Sequence, residues 1–172
     1  NDIQNFDVSI EKNMVLLGFI GFLDPPKESA KESIEKLNKA GIRVIVLTGD
    51  NSEVTRCVCN KVGIKSKNIV LGSEIDKLQD LAVIRLLKKT NIFAKLSPIQ
   101  KARIVRLLKD SGNIVGYMGD GINDSPSLTN SDVGVSVDTA VDIAKESADI
   151  ILLEKDLNVL LDGVTERKKN FW

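Results

Sequence analysis

Asp120 and Asp124, with Asn123 between them, close an apolar run that starts at Ile114. Their oxygens are hard ligands of the kind Mg²⁺ accepts while keeping several waters. Gly119 and Gly121 let the backbone come close to a ligand without a Cβ in the way. Two more stretches carry matching chemistry. Thr48-Gly49-Asp50 offers a hydroxyl and a glycine amide to phosphate oxygens. Lys101, in the first turn of a helix, sets a positive charge against an anionic group in flight. Carboxylates for Mg²⁺, donors for phosphate and a lysine together describe phosphoryl transfer, with the metal shielding the phosphate and orienting it for in-line attack.

Each piece has a plainer reading. Gly119-Asp120-Gly121 can be a tight turn, with Asp124 capping the next helix. Asp50 can cap the helix after it, and Lys101 can be one more solvated lysine. A dinucleotide fingerprint opens with Gly119-x-Gly121, but Asp124 stands where the third glycine belongs and sets a negative charge against a pyrophosphate.

Composition narrows the field. The 172 residues carry 24 basic and 24 acidic side chains, a formal net charge of zero, and 4% aromatics. That balance lacks the basic footprint of a nucleic-acid binder and its stacking platforms. The absence of histidine removes most zinc and haem sites and leaves carboxylates, lysine and amides as the reactive inventory. Cys57 and Cys59, two apart on an expected helix, face different sides, so they neither bridge nor pair as ligands, and a reducing setting fits. The longest nearly unbroken apolar run, Met14 to Leu23, is too short to span a bilayer.

The elements that must position these groups can be read in order. Val15 to Leu23 reads as a buried strand halted by Asp24-Pro25-Pro26, where Asp24 is a helix cap or a functional group. Ala30, Ile34, Leu37 and Ala40 make one helical stripe over Lys27 to Ala40. Val44 to Leu47 is apolar on both faces, as in a central parallel strand, and runs into Thr48. A helix over Glu53 to Val62, a strand at Ile69 to Leu71, a helix near Leu78 to Lys88 and a strand at Ile92 to Ala94 follow. Ser97-Pro98-Ile99-Gln100 combines an N-cap serine, a proline at the first helical position and a capping-box glutamine, so a helix runs from there to Lys109. Strands are expected at Ile114 to Met118, Val133 to Val137 and Ile150 to Leu153, with helices over Ala140 to Ser147 and Leu157 to Lys169. Gly41, Gly63 and Gly112 each end a helix before an apolar strand. The alternation predicts an α/β fold: a parallel sheet with helices on both faces.

The ordered series Asp24-Pro25-Pro26, Thr48-Gly49-Asp50, Lys95-x-Ser97-Pro98-x-x-Lys101 and Gly119-Asp120-Gly121-x-Asn123-Asp124 resembles the phosphorylation domain of P-type cation-transporting ATPases. The resemblance runs from about Leu17 to the C-terminus. Phe22 to Glu28, Ser136 to Ala144 and Ala148 to Lys155 look most like bacterial magnesium-transporting members. It implies a Rossmann-like sheet of haloacid-dehalogenase type, Mg²⁺ and ATP as cofactors, and a cell-membrane protein with this part in the cytoplasm. Thr48, Gly49 and Asp50 would hold the phosphoryl group and Lys101 would neutralise it. Asp120 would bind Mg²⁺, with Asn123 and Asp124 completing the metal and phosphate network. Asp24 would belong to the hinge towards the nucleotide. Lys95 stands where many members have arginine, a point charge in place of a planar fork.

One family feature is missing. No Asp-Lys-Thr-Gly-Thr, the nucleophile motif of the family, occurs; Asp76-Lys77 is followed by leucine. The resemblance therefore implies a piece of a larger pump. Residues 1–16 would be the tail of an inserted nucleotide-binding domain and 17–160 the phosphorylation domain without its nucleophile strand. Residues 161–172 would be a helix leading to a transmembrane segment, with Lys168, Lys169, Phe171 and Trp172 at the membrane interface. Its partners would be the nucleotide-binding, actuator and transmembrane domains of the same polypeptide, and no nucleic acid. Such a piece should lack turnover, show a gap between the strands ending at Thr48 and Met118, and self-associate through exposed strand edges. The rivals are a soluble phosphatase of the same superfamily, which needs an Asp-x-Asp absent here, and a non-catalytic binding module of the same fold.

Overall fold

The computed structural model describes residues 14–20, 25–65, 68–154 and 156–160. In chain order the elements are α1 (Ser29–Lys39), β1 (Val46–Leu47), α2 (Ser52–Lys61), β2 (Val70–Leu71), α3 (Gly72–Ile75), α4 (Asp80–Leu87) and β3 (Ile92–Ala94). Then come α5 (Pro98–Asp110), β4 (Gly116–Met118), α6 (Ser125–Asn130), β5 (Val133–Val137), α7 (Asp142–Glu146) and β6 (Ile150–Leu152). The glycines at 41, 63 and 112 do stop their helices, each at a left-handed φ of about 80° (81°, 78° and 81°) that other residues adopt only with strain.

The strands form two three-stranded sheets, β1-β3-β2 and β4-β5-β6, with every pairing parallel. Parallel pairing puts the carboxyl ends of neighbouring strands on one rim, which is where the candidate residues follow β1, β3 and β4. No strand joins β1 to β4 among the described residues, so the expected gap lies between the Thr48 and Met118 ends. α5 spans it from one side. Its Ile104 and Leu107 enter the core around Phe93, Val83 and Ile75, while its Val105 enters the core of Tyr117, Leu128, Val135 and Ala144. Leu47 packs against both cores.

The structure corrects several expectations. The described part of the supposed first strand, 14–20, has no regular structure, and Leu17 and Phe19 are 97% and 91% exposed. Composition marks such a segment as apolar, but a strand needs a neighbouring edge, and no described strand pairs with it. Phe22, Leu23 and Asp24 lie outside the described residues, as do 161–172 with the end of the expected last helix. β4 starts only at Gly116. Ile114 is 90% exposed, and the Val115 amide donates to the Asp132 carboxylate at 2.8 Å. The short helix α3 carries too few residues to show a period and was not anticipated; α6 is the helix that follows Asp124, whose side chain makes no cap bond to it. Val44 to Leu47 reads as a central strand, yet β1 lies at a sheet edge among the described residues, because apolar faces record the layers above and below and not the lateral neighbour.

Among the described residues nothing pairs with the outer edges of β1 and β4, and residues 14–20 expose apolar side chains; such edges are a template for pairing between copies. Sedimentation velocity of the 172-residue chain should show weight-average mass rising with concentration. A monodisperse monomer over a hundredfold range would count against it.

Candidate active site on the carboxyl rim

The loop after β1 continues the sheet ladder, the Thr48 amide donating to the Phe93 carbonyl at 3.0 Å. The Thr48 hydroxyl accepts from the Asp50 amide at 3.1 Å, which closes a tight turn and leaves its own proton to donate outward. Asp50 is not the cap of α2. Asn51 does that, its Oδ1 accepting from Glu53 and Val54 at 3.0 and 2.9 Å, and the Asp50 side chain stays exposed at the rim.

The turn after β3 is stitched to this loop. Lys95 donates its amide to the Asp50 carbonyl at 2.8 Å, and Leu96 donates to the Thr48 carbonyl at 2.9 Å. Lys95 has a φ of 52°, a left-handed conformation that costs a lysine about 1–2 kcal/mol. Those two bonds hold it there. Ser97 and Gln100 then form the expected capping box, Ser97 Oγ accepting at 3.3 Å and Gln100 Oε1 at 2.8 Å. Gln100 Nε2 also donates to the Gly72 carbonyl at 3.1 Å, so the start of α5 is anchored on two sides. Lys101 follows in a fixed direction.

That direction is Asp124. Lys101 Nζ lies 2.9 Å from Asp124 Oδ1, with the two side chains only 12% and 14% exposed. The Tyr117 hydroxyl donates to the same oxygen at 2.8 Å, and the Gly121 amide reaches Oδ2 at 3.4 Å. Burial works to raise the Asp124 pKa, but hydrogen bonds from Lys101 and Tyr117 outweigh it, and the carboxyl sits below its ordinary value of 3.8. Burial first, then the Asp124 carboxylate, push the Tyr117 phenol well above its usual range, so it stays a donor. Gly119 permits this fold-back. A Cβ there would lie 2.5 Å from the Asp124 Cβ, inside any real contact distance. The Ser136 hydroxyl donates to the Gly119 carbonyl at 2.9 Å and straps the loop to β5.

Of the candidate residues, Lys101 and Asp124 touch directly, and hydrogen bonds join the Thr48–Asp50 loop to the turn that carries Lys95. Asp120 and Asn123 are exposed on the same loop as Asp124. Asp24 lies outside the described residues. Among the described residues no group of three or more acidic, Cys or His side chains could cage a metal. Mg²⁺ does not need one, since it commonly takes one or two carboxylates and fills its shell with phosphate oxygens and waters. Asp120 fits that partial role. Tyr117 went unnoticed in the sequence reading, although a tyrosine in an apolar strand signals a hydroxyl needing a buried partner.

Comparison with known proteins shows the family of the chain. Residues 2–132 match the haloacid dehalogenase-like hydrolase family, described as a hydrolase, and the chain belongs to that family. Within it, the chain matches P-type cation-transporting ATPases along nearly its whole length. It is 50% identical over 170 residues to "Magnesium-transporting ATPase, P-type 1" of Escherichia coli strain K12, covering 99% of this chain and 19% of that protein. The protein of the same name from Salmonella typhimurium strain 14028s is 49% identical over 170 residues, covering 99% and 18%. "Calcium-transporting ATPase 1" of Bacillus cereus is 36% identical, covering 95% and 19%. A solved structure titled for conformational changes in the catalytic domain of the CPx-ATPase CopB-B on nucleotide binding superposes with a TM-score of 0.62. It is 31% identical and covers 81% of this chain and 45% of that one. The chain thus spans about a fifth of the length of the curated relatives it matches.

Two outcomes follow for variants. K101M should cost about 2–3 kcal/mol in urea unfolding near neutral pH, because it leaves a largely buried carboxylate without its cation. Since the folded Asp124 pKa is depressed, the pair stabilises fully above 3.8 and loses that contribution as pH falls through the folded value, so the gap between variant and parent should narrow below 3.8. G119A should displace Asp124 and cost about 2 kcal/mol alone but less in the K101M background, a non-additivity that a double-mutant cycle reads directly.

Proposed function

We propose that this chain is the phosphoryl-gripping part of the phosphorylation domain of an ATP-driven cation transporter, with Mg²⁺ as the transported ion. The observation that carries the reading is the largely buried Lys101–Asp124 pair, whose lysine follows a turn hydrogen-bonded to the Thr48–Asp50 loop. The near-half identity to magnesium-transporting ATPases, against 36% for a calcium-transporting one, supports the choice of ion.

In this reading the acceptor aspartate comes from the remainder of the same polypeptide and receives the phosphoryl group of ATP as an aspartyl phosphate. Thr48 donates its hydroxyl, and Gly49 its amide, to the phosphoryl oxygens. Lys101 supplies positive charge against them as they move in line. Asp120, with Asn123 beside it, would hold Mg²⁺, which when bound shields the phosphoryl charge and fixes its orientation. Asp124 keeps Lys101 aimed along the rim, and Asp50 and Lys95 brace the loop and turn from each side. No described helix is long and apolar enough to cross a membrane.

The test is phosphoenzyme formation. Membranes bearing a full-length polypeptide that contains this stretch should take label from γ-phosphate-labelled ATP into an acid-stable, hydroxylamine-labile bond. D120N and K101M should each lower steady-state label or turnover by at least a hundredfold, in line with losing a preorganised charge. The isolated chain should hydrolyse no ATP above background. Full labelling in both variants, or turnover by the isolated chain, would sink the reading.

A further inference from the structure

Asp124 Oδ1 receives two donors of opposite mechanical character. The Lys101 ammonium reaches it on a flexible stem, at 2.9 Å. The Tyr117 hydroxyl reaches it at 2.8 Å from a ring only 8% exposed, packed in the core with Leu128 and Val135. A phenol fixed by its ring cannot follow a moving partner, whereas a lysine can. The Oδ2 contact, at 3.4 Å from the Gly121 amide, is too long to define the carboxylate by itself.

We propose that Tyr117 is a positioning residue of this site: its hydroxyl pins the Asp124 carboxylate, so that Lys101 can leave for an incoming phosphoryl group and return to an unchanged partner. The pinning stands on the geometry alone. Its link to phosphate rests on the function proposed above. Ser127, wholly buried, lies beside the phenol on the inner side.

Tyr117 is the single tyrosine of the chain, which makes the idea directly measurable. The experiment follows the Lys101 ammonium protons by nitrogen-15 NMR in the 172-residue chain, assigned by their loss in K101M. Y117F should speed their exchange with water about tenfold, the equivalent of one hydrogen bond to a charged group. Unchanged exchange would overturn the proposal, and so would a variant that is less stable but holds Lys101 as before, since that is the mark of a merely structural tyrosine. If Y117F does not fold, 3-fluorotyrosine in place of the one tyrosine keeps the hydroxyl and reports on it by fluorine NMR. Its resonance should move in D124N, and a resonance that stays put overturns the idea as well. Adding Mg²⁺ and inorganic phosphate separates the two claims. A Lys101 signal indifferent to both, with the Y117F effect present, counts against the phosphoryl reading and leaves the role of Tyr117 standing.

Discussion

The rim is organised by an ion pair between two elements that no described strand connects. Lys101 starts α5, Asp124 ends the loop after β4, and their 2.9 Å contact crosses from one half of the sheet system to the other. A mostly buried pair of this kind gives little net stability compared with well-packed apolar groups, because both charges must leave water. Removing one partner is costly all the same. An arrangement with small net gain and a large penalty for error defines geometry more than it adds stability, and geometry is what a phosphoryl site needs.

Everything that aims the pair is local chemistry made rigid by packing. The Ser97–Gln100 capping box fixes the first turn of α5, and Gln100 reaches the Gly72 carbonyl to fix its lateral position. Further along, Arg103 grips Asp80 and the carbonyls of Ile75 and Leu78, and Arg106 joins the same carboxylate. These contacts bind α5 to the α3–α4 region, while its apolar side serves both cores. On the opposite bank, Ser136 and the tight contact of Gly119 with Asp124 set the loop after β4. Lys101 is therefore held by a helix that cannot slide, and Asp124 by a loop that cannot open without moving β5.

Among the described residues no strand fills the gap between β1 and β4. Both flanking strands are short, and the Thr48 and Gly119 loops stand on its two sides. The proposed site has its phosphate donors on one bank and its carboxylates on the other, so the group they would share lies at the mouth of the gap. α5 bridges the banks beneath, which is why the Lys101–Asp124 pair survives where strand pairing does not.

Much of this was legible in the residues. The strand at Val133 to Val137, the helix opened by Ser97 and Pro98, and the glycine stops follow from local rules: period, capping groups and the conformational freedom of glycine at positive φ. The reactive residues could be chosen by type and order, because phosphate and Mg²⁺ demand particular atoms. Sequence could not say that Asn51 rather than Asp50 caps α2, since either side chain can. Nor could it reveal that 14–20 has no described strand beside it, that β1 sits at an edge, or that the lone tyrosine closes on Asp124. Those facts depend on which groups meet across 7 residues of loop or 23 residues of chain, as Tyr117 and Lys101 do with Asp124. Residue chemistry thus determined which groups the rim offers, and tertiary packing alone decided which carboxylate faces the lysine, because only the folded chain brings distant donors to one oxygen.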